Sequence, residues 1–243
     1  MAEQEFFRLW VYLSTSPLLW LTVTLVVYQI AYVISKAVNN HPLLNPVAVT
    51  VAALIGLLEL TDTSFIDYFD GAQFIHFLLG PATVALAVPL YNQLSQLRRL
   101  WLPLATGLIV GVAFAGLSAV GIAKLLGASQ ATLLSLAPKS VTAPIAMGVA
   151  EKIGGLPSLT AALVVMTGII GAVVGNKLFD LLRVREDSIR GFALGLTSHG
   201  IGTARAFQLS EEMGAFSGLA MALSAFTTAL LLPWLLAFLG IIN

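Results

Sequence analysis

Cysteine is absent from the 243-residue chain, and charged residues make up only 10% of it. Without cysteine the protein has no disulfide, no thiolate metal ligand and no cysteine nucleophile. The three histidines are scattered along the sequence, so we predict neither a metal site nor another cofactor. The formal net charge is zero and no long basic run is present, which argues against nucleic acid as a partner.

Hydrophobic residues, in contrast, make up 58% of the chain, and the mean hydropathy is +0.93. A soluble domain carries roughly 25% charged residues. The apolar blocks here approach the ~20 residues that a helix needs to cross a bilayer. They cover residues 17–37, 44–60, 72–92, 101–126, 157–181, 189–210 and 216–240. We therefore predict an all-α polytopic membrane protein with about seven or eight transmembrane helices, forming a single transmembrane domain over residues 1–243.

The N-terminal segment carries Glu3 and Glu5 and lacks the basic region of a signal peptide. No transit peptide is recognisable either. We expect a multi-pass protein of a prokaryotic plasma membrane.

Residues 129–153 form an interrupted segment between two apolar blocks. A short helix is predicted over Ser129–Ala137, then a break over Pro138–Pro144, then a second short helix to Lys152. Neither half is long enough to span a bilayer. A broken spanning helix and a re-entrant hairpin both fit, because irregular backbone at membrane depth must face protein or a water-filled cavity.

The charges of the loops favour the hairpin. The positive-inside rule places Arg98–Arg99 and the segment Arg183–Arg190 in the cytoplasm. The acidic segment Glu59–Gly71 and the pair Glu211–Glu212 would then face the other side. This arrangement requires residues 129–153 to enter and leave the membrane on one side.

A weak internal repeat is also visible. Three positions or pairs recur at a constant offset of 88 residues, namely Gly80, Leu90–Tyr91 and Gly107 against Gly168, Leu178–Phe179 and Gly195. We predict repeats over about 43–127 and 140–240, with broken helices in each, as in many secondary transporters. The repeats would be inverted if residues 129–153 span the membrane and parallel if they form a hairpin.

The break Pro138–Pro144 is the first candidate site. Pro144 suits the first turn of the second short helix, and Thr142 or Ser140 could cap that helix. A helix N-terminus attracts anions such as carboxylates, and Lys139 adds a full positive charge. The alternative is an ordinary loop in which Lys139 extends to the membrane interface.

The segment Thr197–Arg205 is the second candidate site, in the middle of an apolar block. Gly200 and Gly202 loosen the helix there. Ser198, His199 and Thr203 offer hydrogen bonds, and His199 is either a helix-packing residue or a ligand-contacting or proton-carrying one.

Arg205 is costly within a membrane, which marks it as functional, and it could grip a carboxylate with two hydrogen bonds. The alternative for Arg205 is a structural ion pair with Glu151 or Glu211. Asn45, before Pro46, could supply an amide to the same site or simply cap a helix. The predicted substrate-binding residues are Lys139, Ser140, Thr142, Ser198, His199, Gly200, Gly202, Thr203, Arg205 and Asn45.

Three segments resemble the LrgB/CidB family of bacterial membrane proteins: SLAPKSVTAPIAMGVAEKIGG (135–155), GLTSHGIGTARAFQL (195–209) and FLLGPATVALAVPLY (77–91). The resemblance extends from about residue 17 to the C-terminus. It implies an antiholin- or holin-like modulator of murein hydrolase activity and autolysis, working with a small LrgA/CidA-like membrane protein. It equally implies carboxylate transport, because a fused plant relative is the plastidial glycolate/glycerate translocator and bacterial members are linked to pyruvate uptake.

No enzyme motif is present, since the chain has no intramembrane aspartate pair, no histidine-rich metal motif and no GxSxG elbow. A simple holin needs no buried cations and no broken helix, whereas a transporter needs a polar site near the middle of the membrane, formed by discontinuous helices that exclude water. We therefore expect a transporter of small monocarboxylates such as glycolate, glycerate, lactate or pyruvate, with proton coupling through His199 as one option. The alternatives are the LrgA-dependent regulator of autolysis and, less well supported, an ion channel. A homodimer in the lipid bilayer is the expected assembly.

Overall fold

The computed structural model describes residues 17–38, 40–41 and 44–242, and all regular structure in these ranges is helical. The helices are α1 (Pro17–Ala37), α2 (Pro46–Leu60), α3 (Phe65–Phe77), α4 (Leu79–Ala85), α5 (Ala87–Asn92), α6 (Leu94–Leu125), α7 (Gln130–Leu136), α8 (Ala143–Ile153), α9 (Pro157–Leu181), α10 (Asp187–Phe207) and α11 (Glu211–Phe238). They form two compact units, Met1–Ala85 and Leu86–Asn243. The prediction of an all-α membrane protein is confirmed. The prediction of a single transmembrane domain over residues 1–243 stays a prediction.

The N-terminal unit is built on α1, which packs against α2 and α3. Trp20 is fully buried and meets the ring of Tyr68 edge-on at 5.8 Å, while the hydroxyls of Thr24 and Tyr68 lie 3.1 Å apart. Asn45 caps α2, because its side-chain oxygen accepts hydrogen bonds from the backbone N–H groups of Val47 and Ala48. The cap satisfies N–H groups that have no partner within the helix.

Among the described residues, four helices are long and apolar enough to cross a membrane: α1, α6, α9 and α11. The number is five if Phe65–Ile75 and Gly80–Asn92 are counted together. Fewer helices than predicted pass this criterion, and α2 and α10 are two of those that do not. With 15 residues α2 is short. The more polar α10 is enclosed by other helices of the C-terminal unit, so its surface need not match lipid.

In the C-terminal unit, α7 and α8 form a re-entrant hairpin. The end of α8 returns to the level of α7, because the backbone N–H of Leu156 donates to the Ser135 hydroxyl at 2.8 Å. The Thr160 hydroxyl donates to the carbonyl of Ser135 at 2.9 Å. Leu133, Val149 and Ile153 share one apolar cluster between the two arms. Residues 129–153 therefore form a re-entrant hairpin and not a broken spanning helix.

A second hairpin is formed by α10, whose helical geometry is interrupted at His199 (φ 41°, ψ −132°). The first arm (187–198) runs in the direction of α11, since Gly191 lies against Met213 and Gly195 against Ser217. The second arm (200–207) runs the opposite way, since Thr203 contacts Ser217 while Phe207 lies against Gly214. The chain therefore reverses at His199, and the prediction that residues 189–210 cross the membrane is wrong.

The two hairpins enter the C-terminal unit from opposite ends of α11. The α10 hairpin begins and ends near the start of α11, where the Ser210 hydroxyl donates to Asp187. The α7–α8 hairpin packs on the last turns of α11, against Leu232 and Leu236, and Gln130 donates to the Ile241 carbonyl at 2.6 Å. Both tips consequently lie near the middle of α11.

A hairpin followed by a long helix thus occurs twice, as α7–α8 with α9 and as α10 with α11. Each long helix begins at the base of its own hairpin, so the two copies are related by an inversion. This pair lies within residues 130–238. The predicted repeats over 43–127 and 140–240 include residues of both units and stay a prediction.

Glu211 and Glu212 do not lie on the side opposite to Arg98–Arg99, contrary to the prediction. Asn92 donates to Glu211 at 3.3 Å, and Gln96 donates to Glu212 at 2.8 Å. Both acidic residues therefore lie at the end of α6 that carries the arginines. The reason is the reversal of α10, which returns the chain to the side from which it came.

Introduced cysteines test this topology cleanly, because the chain has none of its own. Arg99→Cys and Glu211→Cys should react from the same side of the membrane, and Lys152→Cys from the other; all three side chains are exposed. The measurement is labelling of intact cells and of inverted vesicles with a membrane-impermeant maleimide. Labelling of positions 99 and 211 from opposite sides would contradict the α10 hairpin.

Candidate functional site

The tips of the two hairpins border a cavity of about 760 Å³ in the C-terminal unit. Each tip contributes polar side chains, and α6 and α9 contribute isolated hydroxyls. The polar residues lining the membrane-buried part are Ser118, Lys139, Ser140, Thr167, Thr197 and Ser198. The apolar wall comes mainly from α6 and from the first arm of α10. The cavity thus brings together residues that lie far apart in the sequence.

Lys139 supplies the positive charge at the α7–α8 tip. Its ammonium group is half-buried and donates to the hydroxyl of Ser140 at 3.3 Å. Within the described part of the chain, no carboxylate lies within salt-bridge distance of Lys139. The ammonium group therefore retains donors for an anion that enters the cavity.

Thr142 stands at the N-cap position of α8, but its side chain makes no capping hydrogen bond. The first N–H groups of α8 have no partners within the helix. They add a partial positive charge close to the tip that carries Lys139. Thr142 itself does not line the cavity.

The α10 tip is held in a strained conformation at His199. A φ of 41° with a ψ of −132° is close to the first central position of a type II′ turn, which glycine favours. The His199 ring compensates, since its Nε2 atom lies 3.0 Å from the carbonyl oxygen of Val164 on α9. A carbonyl only accepts hydrogen bonds, so Nε2 is the donor. His199 thereby anchors the tip to α9.

Two glycines of α9 provide the space for this anchor. A Cβ atom at Gly168 would lie 2.8 Å from Cε1 of His199, and a Cβ at Gly171 would overlap the Ser198 hydroxyl. Both positions consequently require glycine if the tip is to keep its place. His199 is buried and does not line the cavity, whereas its neighbour Ser198 does.

The remaining predicted residues of the second segment hold the hairpin together. The Thr203 hydroxyl donates to the carbonyl of His199 at 2.8 Å and lies 2.9 Å from the Ser217 hydroxyl. A Cβ atom at Gly202 would lie 2.8 Å from the carbonyl oxygen of Leu194, so glycine allows the two arms to approach. Gly200, Gly202 and Thr203 do not line the cavity.

Arg205 lies in the last turn of α10 rather than in the middle of a span. Its Nη1 atom donates to the Gln208 side chain at 3.0 Å, and its buried Nε atom has no hydrogen-bond partner among the described residues. It forms no ion pair with Glu151 or Glu211, and it does not line the cavity. Asn45 belongs to the N-terminal unit, where it caps α2.

Several lining residues were not predicted from the sequence. Ser118 and Thr167 are isolated hydroxyls in the long helices α6 and α9, and Thr197 begins the second candidate segment but was not among the predicted substrate-binding residues. The sequence signal that could have identified Ser118 and Thr167 is a single polar residue within an otherwise apolar helix. At the outer end the cavity reaches Glu186 and Ser188, at the base of the α10 hairpin.

These features define the class of the protein: an all-α integral membrane protein in which two re-entrant hairpins border a cavity lined by Lys139. Residues 24–238 match the model of the LrgB-like family, so the chain belongs to this family. The resemblance inferred from the sequence is confirmed.

Three relatives illustrate the family. The chain is 39% identical to "Uncharacterized protein YwbG" of Bacillus subtilis over 80% of its own length and 86% of the relative. It is 32% identical to the "Holin-like protein CidB" of Staphylococcus epidermidis over 90% and 95% of the two chains. It is 28% identical to the "Antiholin-like protein LrgB" of Bacillus cereus over 93% and 99%. No solved structure was found to match.

Substitution of His199 tests the strain at the tip. His199→Ala and His199→Gly both lose the hydrogen bond to Val164, but only glycine adopts a positive φ without strain. We expect His199→Gly to be the more stable variant, by about 1 kcal/mol or more. The measurement is thermal unfolding of both variants in the same detergent. Equal unfolding temperatures would indicate that residue 199 is not strained.

Proposed function

We propose that the protein transports small monocarboxylates, of the glycolate, glycerate, lactate or pyruvate type, across a bacterial plasma membrane. The observation that carries this proposal is the meeting of two oppositely inserted hairpins at a cavity that contains the ammonium group of Lys139. Discontinuous helices that meet near the middle of the membrane form the substrate sites of many secondary transporters.

The charge of Lys139 supports an anionic substrate. A cation within a membrane costs at least ~2.5 kcal/mol unless it is paired or hydrated. In the described structure, the ammonium group of Lys139 is hydrogen-bonded only to the neutral hydroxyl of Ser140. A carboxylate would supply the missing opposite charge, and the Ser198 hydroxyl would donate to a hydroxyl or keto oxygen of the substrate. The hydroxyls of Thr167 and Thr197 donate to backbone carbonyls of their own helices, so they would accept a hydrogen bond from a substrate hydroxyl.

The shape of the cavity supports access from one side. It extends along the first arm of α10 to Glu186, at the end of the unit that carries Arg98–Arg99 and Arg190. The positive-inside rule makes this the cytoplasmic end. Towards the other end the α7–α8 tip packs against α6 and α11, and the described residues leave a void of about 10 Å³ beside Pro138. Transport would require this tip to separate from α6 and α11.

A second candidate is favoured by the names of the relatives, which are called holin-like and antiholin-like. On this reading the protein regulates murein hydrolase activity and autolysis with a small LrgA-type membrane protein. The lipid-facing surfaces of the helices would then matter more than Lys139. A homodimer is compatible with either function.

Substitution of Lys139 distinguishes the two candidates. Lys139→Ala should raise the KM for uptake of radiolabelled glycolate, lactate or pyruvate into proteoliposomes by about 30-fold or more, because the carboxylate loses its charged partner. Lys139→Arg should retain part of the activity. Uptake should be measured with and without a pH gradient.

Lys177→Ala is the matched control, since Lys177 is an exposed lysine of α9 outside the cavity. It should transport like the unmodified protein. Uptake that is unaffected by Lys139→Ala would exclude the proposed site. Absence of any uptake by folded protein, together with an effect on autolysis in cells that survives Lys139→Ala, would favour the regulator.

A further inference from the structure

The cavity is much larger than the small acids named above. A three-carbon acid has about six non-hydrogen atoms and occupies roughly 180 Å³ if each takes the share of one water molecule in the liquid, about 30 Å³. The cavity holds about 760 Å³. That volume lies within the range of roughly 300–1,000 Å³ that is typical of pockets for larger ligands.

The lining of the cavity is divided into a polar and an apolar part. The polar side chains gather at the hairpin tips around Lys139 and Ser198. Between the tips and the outer end, where Glu186 and Ser188 lie, the wall consists of apolar residues of α6 and the first arm of α10, including Leu100, Leu104, Phe114, Phe192 and Leu196. A small acid bound at Lys139 would leave this wall in contact with water.

We propose that the site accepts monocarboxylates that carry an extended apolar chain or ring, held by Lys139 at the carboxylate and by the α6 wall along the tail. This inference rests on the proposed transport function and specifies its substrate class. The carboxylate lies at the tips and the tail points along α6 towards the cytoplasmic end. Apolar contact with the wall removes tail surface from water, which favours binding.

Gly107 is the position at which a substitution can reduce the space available along the apolar wall. A Cβ atom at Gly107 would lie 3.8 Å from Cε1 of Phe192, which is an ordinary contact. A longer side chain there would extend into the cavity, which Gly107 lines. Gly111 is unsuitable, because its Cβ would lie 2.9 Å from Leu196. Gly121 lies on the same helix outside the cavity, with no atom near its Cβ, and serves as the matched control.

The experiment is competition against uptake of radiolabelled pyruvate in proteoliposomes by an unlabelled series of straight-chain 2-oxo acids, from 2-oxobutyrate to 2-oxooctanoate. The head group is constant, so only the tail varies. We expect the half-inhibitory concentration to fall about fourfold per added methylene until the tail fills the cavity. Gly107→Leu should abolish this dependence on tail length, and Gly121→Leu should preserve it.

Failure of the inference and failure of the proposed function give different results. If pyruvate is taken up but longer acids compete no better, the substrate class is wrong and the transport function stands. The same conclusion follows if Gly107→Leu leaves the chain-length series unchanged. If folded protein neither takes up pyruvate nor binds any acid of the series, as judged by thermal stabilisation in detergent, both proposals fall.

Discussion

The architecture of the C-terminal unit depends on one constraint: backbone groups at a helix break cannot face lipid. Each hairpin tip interrupts the helical hydrogen bonds, and every unsatisfied group in hydrocarbon costs several kcal/mol. The tips are therefore placed near the middle of α11, between this helix and the long helices α6 and α9. Insertion from opposite ends lets one set of long helices enclose both tips. The cavity is the space that remains where the tips do not fill the centre.

Close backbone approach makes this enclosure possible. Gly191 and Gly195 let the first arm of α10 lie directly on the backbone of α11, and Gly168 and Gly171 receive the tip on α9. The strain at His199 persists because the surrounding contacts fix it, including its hydrogen bond to Val164. Because His199 is held in this way, the adjacent Ser198 has a fixed place in the wall of the cavity. Small residues and one strained turn thus determine the position of a polar group at the site.

The names of the relatives and the geometry of the site describe different things. Holin-like and antiholin-like refer to an effect attributed to those proteins, whereas the cavity concerns what one molecule can bind. A regulator that acts through its lipid-facing surface would have no need for an ammonium group without a carboxylate partner. If the protein is such a regulator, the charge of Lys139 requires a structural reason, and the described contacts provide only the hydroxyl of Ser140.

Local chemistry allowed a large part of the first hairpin to be predicted. The apolar blocks determine the membrane class, because no soluble core could bury them, and Pro138 and Pro144 break the helix wherever it lies. The distribution of arginines then selects a hairpin. For the second hairpin the local signals were ambiguous. Glycines that loosen a spanning helix are equally compatible with a reversal, and nothing in the residue type of His199 indicates a positive φ.

By itself, then, the sequence determined the fold class, the family and the first break, since these follow from composition, proline chemistry and motif. The tertiary structure decided that α10 reverses, that Arg205 and the pair Glu211–Glu212 lie at the end of the C-terminal unit that carries Arg98–Arg99, and that Ser118, Thr167 and Thr197 join Lys139 at one cavity. The physical reason is that these properties arise from packing between helices distant in the chain. A local pattern records which residues are polar, but the partner against which each one packs is fixed only when the helices assemble.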